Sequence, residues 1–177
     1  MTGEDNDEDG RRDFDFLHGS WRVANRKLAD NWDPDCTQWT RFSSTVIVRP
    51  LLANLAVMDY YSTTEFPGNG PMEGIALRLF NPRTRLWRIW WASTRQPGDL
   101  DTPVEGRFSA GVGEFYCDDT LNGRPLRVRY EWTRADPEHP RWTQAFSYDG
   151  GTTWKPNWIM ELTRDADLGA NGSTGLS

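Results

Sequence analysis

The side chains best suited to hold or transform a small molecule are an arginine and a set of tryptophans that recur at alternate positions. Gly74-Ile75-Ala76-Leu77-Arg78-Leu79-Phe80 and Leu86-Trp87-Arg88-Ile89-Trp90-Trp91 read as two strands around the turn formers Asn81 to Thr84. Paired across a four-residue turn, Arg78 faces Trp87, Ala76 faces Ile89 and Gly74 faces Trp91. Small residues opposite large rings leave space beside a guanidinium, which suits an apolar or aromatic molecule with one polar end. The alternate row, Ile75, Leu77, Leu79, Leu86, Arg88 and Trp90, is also apolar, so parity alone does not choose the inner face. The room beside Gly74 and Ala76 favours the Arg78/Trp87/Trp91 row as inner, and the other row would then need cover from a second subunit.

A second constellation lies near the end of the chain. Ser147-Tyr148-Asp149-Gly150-Gly151-Thr152-Thr153-Trp154 fits the Asp-box pattern Ser-x-Asp-x-Gly-x-x-Trp, in which Ser and Asp side chains tie down a hairpin turn. It occurs once, and 177 residues without an internal repeat cannot build the propeller that this motif otherwise decorates. Counting outward from the turn pairs Gln144 with Asn157 and Trp142 with Ile159, with Glu161 on the same face. Inside a closed sheet these amides would orient a ligand, because buried amides demand partners. Outside it they would be a wet face, and Asn157 within an otherwise apolar run tilts the reading inward. In Arg127-Val128-Arg129-Tyr130-Glu131-Trp132 the charged residues share one face, read as solvent-exposed ion pairs, and Tyr130 and Trp132 point inward, where their polar handles can meet a ligand. If the pocket runs a reaction, Glu161 or Asp59 would be the acid or base and Arg78 the electrostatic stabiliser.

Other chemistries find little support. His18 and His139 are the only imidazoles, so no multi-His metal site is expected. Gly-x-Ser-x-Gly and a phosphate-binding Gly loop are missing. Cys36 and Cys117 show no metal-type spacing and are read as reduced thiols. The net charge of −6 is misleading, because residues 1–15 hold seven acids against Arg11 and Arg12, and the body is nearly neutral. A nucleic-acid partner is therefore not expected. With no apolar run long enough for a membrane span and no signal-peptide pattern, the expected setting is the cytoplasm.

The elements that must position these side chains are short alternating strands. Trp21/Val23/Asn25 oppose Arg22/Ala24/Arg26, and Trp39/Arg41/Ser43/Thr45 oppose Thr40/Phe42/Ser44/Val46. Further strands are expected over 54–64, 73–80, 85–94, 104–110, 113–119, 125–134, 141–148 and 154–164, about ten in all. Asn122-Gly123 and Asp149-Gly150-Gly151 are further hairpin turns, so the simplest topology is an antiparallel meander. Asp13 to Gly19 reads as one helical turn stopped by Gly19, placed to plug an end of the barrel. The expected organisation is an acidic disordered tail over 1–12, one domain over 13–164 and a disordered tail over 165–177.

Gly19-Ser20-Trp21 at the first strand and Arg164 closing the last resemble the lipocalins and the wider calycin superfamily, whose Trp and Arg pack across the closed end of a barrel. With Leu77 to Pro82, Trp87, Trp91 and the stretch from Arg141 to Arg164, the chain is similar over about residues 14–164 to a bacterial lipocalin-like family of that superfamily. The resemblance implies an all-β, single closed up-and-down barrel with an internal pocket, stacking of Arg164 on Trp21, and no particular reaction. Haem-binding nitrobindins are also calycin-like, but their ligand His lies late in the chain and the last two strands here have none, so no cofactor is expected. The functional expectation is binding of a small apolar or aromatic molecule by Trp87, Trp91, Trp142 and Tyr130, with Arg78, Gln144 and Asn157 fixing its polar end. The alternatives are a cofactor-free cyclase, isomerase or lyase in the same pocket, or a structural dimerisation domain with a filled barrel.

Overall fold

The computed structural model describes residues 9–31, 33–68 and 70–170. Ten strands, β1 (Gly19–Leu28), β2 (Trp39–Leu51), β3 (Ala56–Phe66), β4 (Gly70–Asn81), β5 (Leu86–Ser93), β6 (Val104–Ser109), β7 (Val112–Leu121), β8 (Arg124–Thr133), β9 (Arg141–Ser147) and β10 (Lys155–Arg164), form one antiparallel sheet. Each strand pairs with the next in the chain, and β10 returns to β1, so the sheet is a closed up-and-down barrel without a free edge. The helical part is small: single 3-10 turns over Asp15–Leu17 and Leu52–Asn54, and α1 (Ala166–Ala170).

Alternation decides the faces. On β4, Met72, Gly74, Ala76, Arg78 and Phe80 are buried, whereas Glu73 and Ile75 are exposed and Leu77 and Leu79 half-buried. The Arg78 row is therefore the inner one. The β4–β5 pairing differs from the expected register by two residues: Phe80 sits opposite Trp87, Arg78 opposite Ile89 and Ala76 opposite Trp91. The loop is Pro82 to Arg85 because Arg85 takes a left-handed φ of 58° and its N–H donates to the Asn81 carbonyl at 2.8 Å. A slip of two residues keeps every side chain on its face, which is why the parity survives. The Trp91 ring still lies against Gly74, where an added Cβ would come within 2.4 Å of the indole carbons.

The opposite fate befalls β10. Near the Asp-box turn the count is as expected, with Lys155 opposite Phe146 and Pro156 opposite Ala145, but a bulge between Pro156 and Trp158 moves the pairing by one residue. Gln144 then faces Trp158 and Trp142 faces Met160, so Trp158, Met160 and Leu162 join the core, while Ile159, still buried, falls on the alternate row with the exposed Glu161.

One end of the barrel is sealed. Phe14 and Leu17 enter it, Trp21 is fully buried on β1, and the Arg164 guanidinium stacks 4.1 Å from the Trp21 ring centroid. Arg164 also donates to the His18 carbonyl at 2.6 Å and the Phe16 carbonyl at 3.0 Å, and Trp21 Nε1 donates to the Leu17 carbonyl at 2.7 Å. These bonds satisfy the backbone of the plug and hold it on the strands. Gly19 is required here, since its φ is +115° and a Cβ would sit 3.0 Å from Arg164 Nη1. Residues on both flanks extend this packing beyond the expected domain edges. The Gly10 carbonyl accepts Trp87 Nε1 at 2.9 Å, and Asp165, buried just before α1, pairs with Arg22. The rest of the expected tails, 1–8 and 171–177, lies outside the described residues.

Candidate functional site

The other end of the barrel opens into a cavity of about 850 Å³. Its walls are the inner rows of the strands, and its mouth is framed by the loops after β1, β3, β5 and β7. Tyr61, Trp91, Tyr130, Trp132, Trp142 and Trp158 line it. Edge-to-face contacts of 5.0 Å between Tyr130 and Trp142, 5.7 Å between Trp142 and Trp158, and 5.8 Å between Tyr61 and Trp91 hold these rings at fixed angles. The interlocked rings present both faces and edges to the lumen.

Polar groups are set into this wall at three places. Deepest is Arg78, only 3% exposed, whose Nη1 and Nη2 donate to Asp59 Oδ1 and Oδ2, the second at 3.0 Å. The guanidinium also lies 4.9 Å from the Phe14 centroid and 5.7 Å from that of Trp132. The bidentate pair leaves the site without net charge, so a buried anion would gain little there. Higher up, Gln144 Nε2 donates to Asn157 Oδ1 at 2.7 Å, which fixes the Gln144 amide in the wall. On β1, the strand next to β10, Asn25 donates to Ser44 Oγ at 2.8 Å and accepts from Trp158 Nε1 at 3.0 Å and Tyr61 Oη at 3.3 Å. This network anchors two of the lining rings. Burial pushes the Tyr61 and Tyr130 hydroxyls well above their ordinary range, so both are neutral donors.

The anticipated residues divide cleanly. Arg78, Trp91, Trp142, Gln144 and Tyr130 line the cavity. Asn157 supports it through Gln144 from the bulge. Trp87 does not reach it, because its ring is spent on the plug, 5.0 Å from Phe14. Asp59 lines the cavity but is engaged by Arg78, and Glu161 lies on the outer surface 4.0 Å from Arg26, so it cannot serve the lumen. The bulge at Asn157 is the reason. Arg127, Arg129 and Glu131 form outer ion pairs, Arg127 with Asp118 at 3.1 Å. The Asp-box turn is tied as its pattern requires, with Ser147 Oγ and Thr153 Oγ1 donating to Asp149 at 2.8 and 2.6 Å.

Sequence reading missed Tyr61, Trp158, Met160 and Lys27. Lys27 continues the inward row of Trp21, Val23 and Asn25, so alternation could have found it. Asp101, from the loop after β5, also lines the cavity, and burial followed by the nearby Asp119 raises its carboxyl above the usual range. Both cysteines are free, and burial pushes the Cys117 thiol up to about 12. Among the described residues no helix is long and apolar enough to cross a membrane.

No family model matches the chain, and no curated protein matches it in sequence. Its fold is nonetheless similar to that of solved structures. It is similar to Rv2717c from M. tuberculosis, with a TM-score of 0.57 and 12% identity over 88% of this chain and 97% of that one. It is also similar to the S-type phycobiliprotein lyase CPES from Guillardia theta, with a TM-score of 0.56 and 12% identity over 89% of this chain and 95% of that one.

Proposed function

We propose that this barrel binds a small, flat, apolar or aromatic molecule in its lumen. The observation that carries the reading is the cavity of about 850 Å³ walled by four indoles and two phenols, within the range of known small-molecule sites. Trp91, Trp142 and Tyr130 supply ring contacts, and the Gln144 amide, steadied by Asn157, meets a polar edge of the ligand. Arg78 shapes the floor together with Asp59. The phycobiliprotein lyase among the structural neighbours favours a chromophore-like ligand. The setting is the cytoplasm, where Cys36 and Cys117 stay reduced. On the outer wall Ile75 and Tyr60 are 40% and 42% exposed beside Leu77 and Trp90, and we propose that a second copy of the chain covers them. Sedimentation as a monomer would remove that last part.

Native mass spectrometry of the protein purified from its own host tests the central part. The expected spectrum holds a species heavier than the chain by one small organic molecule, released on unfolding. A chain of bare mass that also takes up no aromatic probe contradicts it.

A second reading, a cofactor-free acid–base step in the same lumen, is favoured by Asp101, a lining carboxyl biased toward its protonated form. Turnover of a bound ligand that is lost in Asp101→Asn would select it over simple binding.

A further inference from the structure

We infer that Lys27 and Arg95 form a cationic clamp at the mouth of the lumen, which takes the carboxylate of an amphipathic aromatic ligand whose body lies among the inner rings. The inference rests on the ligand-binding reading above and adds the charge and orientation of the ligand. Both side chains line the cavity. Lys27 Nζ stands 6.0 Å from the Phe66 ring centroid and 5.8 Å from that of Trp158, and the Arg95 guanidinium stands 5.2 Å from the same Phe66 ring. Two cations thus share one phenyl ring at the rim, next to the apolar wall.

The interior argues for the rim as the anion's place. Arg78 is held by Asp59 through both terminal nitrogens, so a deep carboxylate would meet a charge already neutralised and an acid beside it. The other lysine, Lys155, is bonded to the Pro34 carbonyl. The groups that act on Lys27 are Asp30 in the loop after β1, Arg95 after β5 and Cys36. Burial, then the Arg95 charge, bring its amine down to about 8 despite Asp30. A bound carboxylate opposes both effects, so binding takes up a proton when the pH is above about 8. The sign follows: affinity for an acid falls as the pH rises past the free amine's value, and affinity for a neutral analogue does not.

The test is titration of the full chain with 1-pyrenebutyrate and with 1-pyrenebutanol, followed by energy transfer from the lumen tryptophans. At pH 7 the acid is expected to bind about tenfold more tightly than the alcohol, the worth of one charge-assisted contact. The acid-to-alcohol ratio collapses toward one in Lys27→Met with Arg95→Met, is largely kept in Lys27→Arg, and declines between pH 7 and 10 in the wild type but not in Lys27→Arg. Equal affinities in the wild type, or a ratio that survives the double substitution, overturn the clamp while leaving lumen binding in place. Failure of both probes to bind overturns the binding reading and the clamp together.

Discussion

Replacing Asp59 by Asn keeps the shape of the lumen wall and removes one charge, leaving the Arg78 guanidinium without its counter-ion between Phe14 and Trp132. Losing one partner of a fully buried pair costs about 3–5 kcal/mol, because the remaining charge is desolvated and unpaired. The Arg78 side chain is 3% exposed but that of Asp59 is 13% exposed, and the lumen opens to water at its mouth, so partial solvation lowers the cost to about 2–4 kcal/mol. With a urea slope of about 2 kcal/mol per molar for a domain of this size, the midpoint should fall by about 1–2 M. The double change Arg78→Met with Asp59→Leu removes the charge pair altogether and should lie within about 1 kcal/mol of the wild type. Urea unfolding followed by tryptophan emission measures all three. A shift below about 0.3 M for Asp59→Asn, or a double variant as weak as the single one, would refute the view of a desolvated pair, since the first outcome implies a solvated guanidinium and the second implies packing rather than charge.

Two further outcomes follow from the closed end and the Asp-box hairpin. Arg164→Ala removes the stack on Trp21 and two bonds to plug carbonyls, and, since its head is partly solvated, should cost about 1–2 kcal/mol, a loss of roughly 3–6 °C in Tm by calorimetry; an unchanged Tm would deny the clasp. The Asp149 carboxyl is held down to about 2, from an ordinary 3.8, chiefly by the Thr153 hydroxyl and then the Thr153 N–H and Ser147. Because the folded value lies below the unfolded one, the hairpin's stabilisation is complete above about pH 4 and disappears as the pH falls through about 2. Amide exchange at Gly151 and Thr153 should stay slow to about pH 3 and quicken only below, and loss of protection already at pH 4 would contradict this.

The strands and the clasp were legible because both are written locally: alternation sets the faces, turn formers set the ends, and the Trp21 and Arg164 positions mark the first and last strands of a closed sheet. Asn122-Gly123 is a good instance, its φ values of 49° and 75° being those of the turn that this pair prefers. What failed was register. Arg85 adopts a left-handed conformation that its type does not announce, which displaced the β4–β5 pairing by two residues at no cost to the inner row. The bulge at Asn157 displaced β10 by one, and that sent Glu161 out of the lumen. Pro156, which cannot donate to the ladder, was the sole hint. The site was legible in part for the same reason. Rings on long regular strands, such as Trp91, Trp142 and Tyr130, were found, whereas Asp101 and Arg95 come from the loop between β5 and β6, whose path no periodicity describes. Trp87 was misplaced because the sequence does not say how deep the plug reaches.

The central claim is that the lumen is a container with space to spare, and filling it tests this most directly. Ala76 is 7% exposed and faces the cavity beside Trp91, so Ala76→Trp drives a second indole into that space. Titration with 1-pyrenebutanol, read by energy transfer from the tryptophans, should saturate at one molecule per wild-type chain and lose at least about tenfold in affinity in Ala76→Trp, with the far-ultraviolet β signal unchanged. Equal binding by the two proteins would place the probe outside the barrel and contradict the account.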